Sequence, residues 1–103
     1  MYKVVRTRTR PSKLVEWFSP IFDVDERVRS HLDDTYRYTG KLLGVNTIEN
    51  SDGLTVEVTQ TWANKESYEL YANDPIIKEG LVGKIEKYNS DNGRTPTVTF
   101  LED

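Results

Sequence analysis

The stretch LTVEVTQTWANKESYELYANDPIIKEGL, residues 54–81, decides how this chain folds. Its first nine residues alternate. Leu54, Val56 and Val58 point one way and continue to Gln60 and Trp62, while Thr55, Glu57, Thr59 and Thr61 point the other. Such period-two alternation makes a half-buried strand, apolar on one face and lined with Thr and Glu on the other. Asn64 then serves as an N-cap, because its side-chain oxygen can take an orphan N–H of the first turn, and a helix carrying Tyr68, Leu70 and Tyr71 begins. A new helix starts at Asp74-Pro75, where Asp caps and Pro fills the first position, which needs no N–H. Its inward stripe is Ile77, Leu81, Ile85 and Tyr88, and it runs into the loop Asn89-Ser90-Asp91-Asn92-Gly93.

Working outward, Lys41–Glu49 pairs with Leu54–Trp62 as a hairpin around Asn50-Ser51-Asp52-Gly53, where Asp-Gly supplies the positive φ of such turns. Before it, Asp23 with Glu26 three positions on forms a capping box. Val24, Val28, Leu32 and Tyr36 recur every four residues, giving a helix with one apolar stripe that stops before Gly40. Tyr2–Arg8 reads as a strand closed by Pro11, Leu14–Phe18 as a short helix or an aromatic-tipped loop, and Thr95–Leu101 as the last strand. The order is β-α-β-β-α-β. Right-handed crossovers then place both helical regions on the same face of one four-stranded antiparallel sheet, an α+β, ferredoxin-like domain spanning residues 1–103. The other face of that sheet is left for solvent or a partner.

Composition narrows the function classes. A chain of 103 residues has enough length for one modest core, and a core that small leaves sheet area over, so self-association is expected. The net charge of -3 argues against general nucleic-acid binding, which needs a clustered basic excess. Cysteine is absent, which excludes disulfide and thiol chemistry. No apolar run approaches the ~20 residues of a membrane span, and MYKVVRTRTR lacks the apolar core of a signal peptide, so a cytoplasmic protein without membrane contact is expected. Arg6, Arg8 and Arg10 share one face of the first strand. A solvated or edge-strand face is the ordinary expectation for them; a small anion-binding strip is the functional one.

The segment QTWANKESYELYANDPIIKEG resembles the third strand and second helical region of the dimeric α+β barrel superfamily. There an aromatic ends the third strand, a short helix carries an aromatic at its end, and an Asn-Ser/Asp-Pro-like break starts the next helix. The nearest members are the antibiotic-biosynthesis-type monooxygenases and the haem-degrading monooxygenases. The resemblance implies a homodimer with facing sheets and a ligand cavity between sheet and helices. Haem-degrading members place a ligating His after a Lys-Glu-small triplet. Here Leu81 follows Lys78-Glu79-Gly80 and cannot coordinate iron. Tyr71 and Ile76 stand where monooxygenase-like members often carry His. No cofactor is therefore expected.

His31 is the one histidine, bordering the apolar stripe of its helix. It is either a half-buried structural residue or the catalytic acid/base at the helix–sheet cavity. A lone His without Cys makes a metal site unfavourable. The aromatics are dense, and core packing is the ordinary account of most of them; in the functional reading Trp17, Phe18, Trp62, Tyr68 and Tyr71 line a cavity for a flat apolar ligand. Gly80 and Gly83, inside a helix, imply close helix–sheet approach or room for a ligand. The leading expectation is a small-molecule binder or cofactor-independent monooxygenase-like enzyme. The alternative is a non-catalytic homodimeric module without a cavity.

Overall fold

The computed structural model describes residues 1–15, 17, 24–93 and 95–102. The capping-box Asp23 and the ligand-lining candidate Phe18 lie outside the described residues, as does most of the 16–23 segment. Strand β1 spans Tyr2–Thr9, β2 Leu42–Glu49, β3 Thr55–Trp62 and β4 Thr95–Glu102. The sheet is antiparallel in the order β2-β3-β1-β4, so β1 runs parallel to β2 with β3 between them, and β3 parallel to β4 with β1 between them. This is the ferredoxin-like α+β arrangement expected from the order of elements. Helix α1 begins at Glu26–Leu32 and continues into a wider π-helical stretch at Asp33–Arg37. Helix α2 is Lys65–Ala72. Helix α3 opens at Pro75–Ile77, widens at Lys78–Val82, and returns to α geometry over Gly83–Asp91.

Local chemistry places these boundaries. Asn64 accepts hydrogen bonds from the Ser67 N–H at 2.9 Å and the Ser67 hydroxyl at 2.8 Å, and Asp74 accepts from the Ile76 N–H at 2.9 Å, with Pro75 at the first helical position. Gly53 closes the β2–β3 turn at φ 71° while Asp52 accepts from the Leu54 N–H. At α1 the cap is Asp25, which accepts from the Arg27 N–H at 2.8 Å, so the helix starts two residues later than the Asp23–Glu26 pattern implied. Val24 is buried just ahead of the helix and still joins the core.

The two π-helical stretches have a sequence cause. Residues four apart on an α-helix overshoot a full turn by roughly 40°, so a strict four-residue stripe drifts off the core unless the helix unwinds. In α1 the wider turn returns Tyr36 to the core. In α3 it carries Ile77, Leu81 and Ile85 on to Asn89, which is buried, while the expected Tyr88 is half-buried. Gly80 sits in this stretch for a reason the sequence reading missed. A Cβ there would come within 2.5 Å of Val28 Cγ2, so the close approach is helix α3 against helix α1 and not against the sheet. Gly83 instead faces the Lys78 carbonyl oxygen, at 3.0 Å from an added Cβ.

The helices cover the face that carries Tyr2, Val4, Leu42 and Trp62, which pack with Tyr36, Tyr71, Ile77 and Leu81. The opposite face presents Lys3, Val5 and Thr7 beside Thr55, Glu57, Thr59 and Thr61. No helix among the described residues is long and apolar enough to cross a membrane.

Candidate functional site

Strand β1 carries the site because its inward residues change character half-way. Tyr2 and Val4 are buried, and then Arg6 and Arg8 occupy the same face. At the first end the space is filled by aromatic rings. Trp62, fully buried, lies 5.0 Å from Tyr71, 5.7 Å from Tyr68 and 6.0 Å from Tyr36 between ring centroids, and Tyr68 in turn meets Tyr2 and Phe100. Beyond Val4, among the described residues, the close ring packing gives way, and a cavity of about 580 Å³ opens between sheet and helices. Val56 and Val58 of β3 floor it, and Val28, Leu32, Val82 and Ile85 of α1 and α3 roof it. That volume lies within the range of drug-sized ligand sites.

Apolar partners flank each arginine in the sheet. Arg6 stands in register between Val58 and Val98, and Arg8 between Val56 and Pro96. The ordinary expectation of a solvated or edge-strand arginine face does not hold. Strand β1 is central, bonded on both sides, and Arg6 and Arg8 line the cavity. Arg10, two residues on, leaves the strip. It donates from Nε to the Gly53 carbonyl at 2.7 Å and from Nη1 to the Val15 carbonyl at 2.8 Å, and pairs with Glu49 at 3.2 Å. Its guanidinium stacks 4.3 Å over the Trp17 ring, whose Nε1 donates to the same Glu49 carboxylate. Arg10 thereby pins Trp17, a cavity-lining residue, to the β2–β3 hairpin.

A polar cluster marks the boundary between the two ends. Arg6 donates from Nη1 to Gln60 Oε1 at 2.6 Å and from Nη2 to the Tyr68 hydroxyl at 3.3 Å. Tyr71 shares the cavity wall with Arg6 and Gln60. Burial pushes the Tyr71 pKa up, outweighing the opposing positive charges of Arg6 and Arg8 and a hydrogen bond with Gln60. At neutral pH the Tyr71 hydroxyl keeps its proton and is a hydrogen-bond donor, not a base. Arg29 and Asn89 also line the cavity, and the buried Arg29 Nε and Asn89 Oδ1 have no hydrogen-bond partner among the described residues.

His31 belongs to another cluster. Its Nε2 lies 2.6 Å from Asp74 Oδ2, its Nδ1 3.3 Å from Thr35 Oγ1, and the Tyr36 hydroxyl donates to the same Asp74 oxygen at 2.6 Å. Burial would raise the Asp74 pKa, but hydrogen bonds from His31, Tyr36 and the Ile76 N–H outweigh it and hold the carboxyl below its usual range. Burial, helped by the bond to Asp74, pushes the Tyr36 hydroxyl well above its ordinary value. This cluster ties α1 to the start of α3.

Of the residues singled out in the sequence, Trp17 and Tyr71 line the cavity. Trp62 and Tyr68 stand in the packed aromatic end, and His31 is held at the α1–α3 junction. Gln60, Arg29 and Asn89 also line the cavity without having been singled out in the sequence, and Arg6 and Arg8, weighed there as a solvated face or an anion-binding strip, line it as well. Signals for three of them existed. Arg6 and Arg8 share the parity of the apolar Tyr2 and Val4, and Gln60 stands between Val58 and Trp62 on an inward face.

The backbone has well-covered counterparts among solved structures. It matches a monooxygenase of Streptomyces coelicolor, solved with nanaomycin D, at 15% identity and TM-score 0.63, over 99% of this chain and 86% of that one. A dimeric ferredoxin-like protein from an uncultured marine organism matches at 13% identity and TM-score 0.64, over 97% and 91%. A cofactor-independent oxygenase of Streptomyces nogalater matches at 8% and TM-score 0.56, over 99% and 91%. The chain has the fold of the antibiotic-biosynthesis-type monooxygenases. Identities this low speak for the fold alone. In sequence, no family model matches the chain, and no curated relative does.

Proposed function

We propose that this protein is a small-molecule-binding, cofactor-independent monooxygenase-like enzyme acting on a flat apolar or aromatic compound. The observation that carries the reading is the cavity of about 580 Å³, whose mostly apolar wall is broken by the Arg6–Gln60–Tyr71 cluster and by a few further polar side chains, Arg8, Arg29 and Asn89 among them. Sites of this kind bind by shape and orient by a few polar groups. A cavity also speaks against the alternative of a module with none.

In this reading an electron-rich substrate loses a C–H proton to solvent water at the cavity mouth to become a delocalised anion. That anion passes an electron to dioxygen, and the two radicals combine. The hydroperoxide, once protonated, loses water to leave a carbonyl, so one oxygen atom enters the substrate and the other departs as water. The protein's part is orientation and stabilisation of the anion. Tyr71, protonated at neutral pH, donates to the developing oxyanion. Arg6 and Arg8 lower the substrate's own pKa through their charge. With His31 turned to Asp74, we assign the anion-stabilising role to Tyr71 and Arg6, and a structural one to His31.

The protein also forms a homodimer in this reading, with the uncovered sheet faces together. Support comes from exposed Leu43, Ile48 and Leu101 on the outer strands and from the Thr-lined central strands. The neighbour described as dimeric shares the fold.

The test is oxygen uptake with a hydroxylated tricyclic aromatic substrate, together with ¹⁸O₂ labelling. One labelled atom in the product and loss of turnover in Tyr71→Phe with binding retained are expected. Failure of every flat aromatic compound to raise the melting temperature would overturn the binding reading itself.

A further inference from the structure

Among the described residues, the charged side chains around the cavity are mostly arginines. The chain as a whole is acidic, at -3, yet among the described residues the cavity wall carries Arg6, Arg8, Arg29 and Arg37 against Glu86 alone. Arg37 is largely exposed and lies 3.5 Å from Asp33, which places it at the rim. Arg6 is engaged by Gln60 and Tyr68, and Arg8 too has an interaction of its own. Arg29 is different: its Nε is buried in the wall with no hydrogen-bond partner among the described residues, while Val28 and Leu32 on either side of it are apolar. A guanidinium whose Nε is held in an apolar wall gains from an acceptor that completes it. Its planar fork matches a carboxylate or another oxyanion better than any neutral group. Asn89, buried on α3, also lines the cavity, and its side-chain oxygen has no hydrogen-bond partner among the described residues.

We propose that the cavity selects an apolar acid: a ring-containing compound whose oxyanion pairs with Arg29 under the positive field of Arg6 and Arg8, and whose hydroxyl donates to Asn89. This rests on the cavity being the binding site, and it adds the charge and polarity of the occupant. A neutral compound of the same shape leaves Arg29 uncompensated and forfeits the field of the arginines, so charge, and not ring size, is the discriminating property.

The test compares three tricyclic aromatic probes of one shape, a carboxylic acid, its carboxamide and the corresponding phenol, by fluorescence titration of the full chain at low and high salt. The acid is expected to bind roughly tenfold more tightly than the carboxamide at low salt, with the advantage shrinking as salt rises. The phenol should gain affinity as it ionises with rising pH. In Arg29→Met the acid's advantage should collapse while the carboxamide binds as before. Equal binding of acid and carboxamide overturns the acid selectivity and leaves the cavity reading standing, whereas binding of none of the three overturns both. An advantage that survives Arg29→Met overturns the role given to Arg29. The wild-type comparison decides selectivity even where a variant fails to fold.

Discussion

The two ends of the helix-side sheet face are built on the same strands and differ in everything else. At one end Tyr2, Val4 and Trp62 meet Tyr36, Tyr68 and Tyr71, and ring contacts fill the space between sheet and helices. At the other, Arg6 and Arg8 stand among Val56, Val58, Val98 and Pro96, and a cavity lies above them. Aromatic side chains contribute the largest buried area per residue, so the first end supplies stability. Half-buried arginines beside a cavity contribute less to stability, and in the function proposed above their place answers to what they can bind. The lesson is that one strand, four inward residues long, divides the labour between holding the fold and offering a site.

The sharpest way to break this comparison is to truncate one residue at each end. Trp62→Ala should cost about 3–5 kcal/mol, read as a lower urea midpoint. Arg29→Met should leave stability within about 1 kcal/mol of the parent, or raise it. Equal losses would show that both ends serve the fold alike. A smaller effect probes the roof over the open end. Gly80→Ala drives a Cβ into Val28 and should destabilise by about 1–3 kcal/mol, and Val28→Ala in the same chain should recover part of that loss. If Gly80→Ala is silent, the α1–α3 approach does not define the cavity roof.

The smallest effect concerns the junction at Asp74. Its native pKa lies below the ordinary value of 3.8, so its contribution is fully present above that value and is lost as pH falls through the lower native pKa. Stability of the parent should decline in that acid window, and Asp74→Asn should show a shallower decline by denaturation midpoints measured from neutral to acid pH. Matching acid limbs in parent and variant would remove Asp74 from the account.

Much of the fold was legible because its signals are local. Caps at Asn64 and Asp74, the Asp52-Gly53 turn and the alternation of β3 act within a few residues, and each stands where the sequence put it. Less legible was whatever depended on a distant partner. The α1 cap is the exception, since it is local: the sequence offers two acids two residues apart, and Asp25 is the one whose carboxylate accepts from the Arg27 N–H. Asn89, not Tyr88, is the buried residue because a π-helical stretch holds the stripe to intervals of four. That interval was visible, but the unwinding it demands becomes favourable only when a sheet lies beneath. His31 bordered an apolar stripe, and Asp74, 43 positions away, gives its ring a partner there.

The sequence by itself determined the kind and order of the elements, since alternation, four-residue stripes and capping residues are short-range preferences of the backbone. It also determined that Arg6 and Arg8 share a face with Tyr2 and Val4. Only the tertiary structure decided what that face meets. Antiparallel pairing on both sides makes β1 a central strand, and the crossing of α1 over α3 at Gly80 sets the roof. Pairing partners and helix crossings are contacts between residues far apart in the chain. For that reason the same arginines that read as a solvated edge in the sequence become the charged wall of a cavity in the fold.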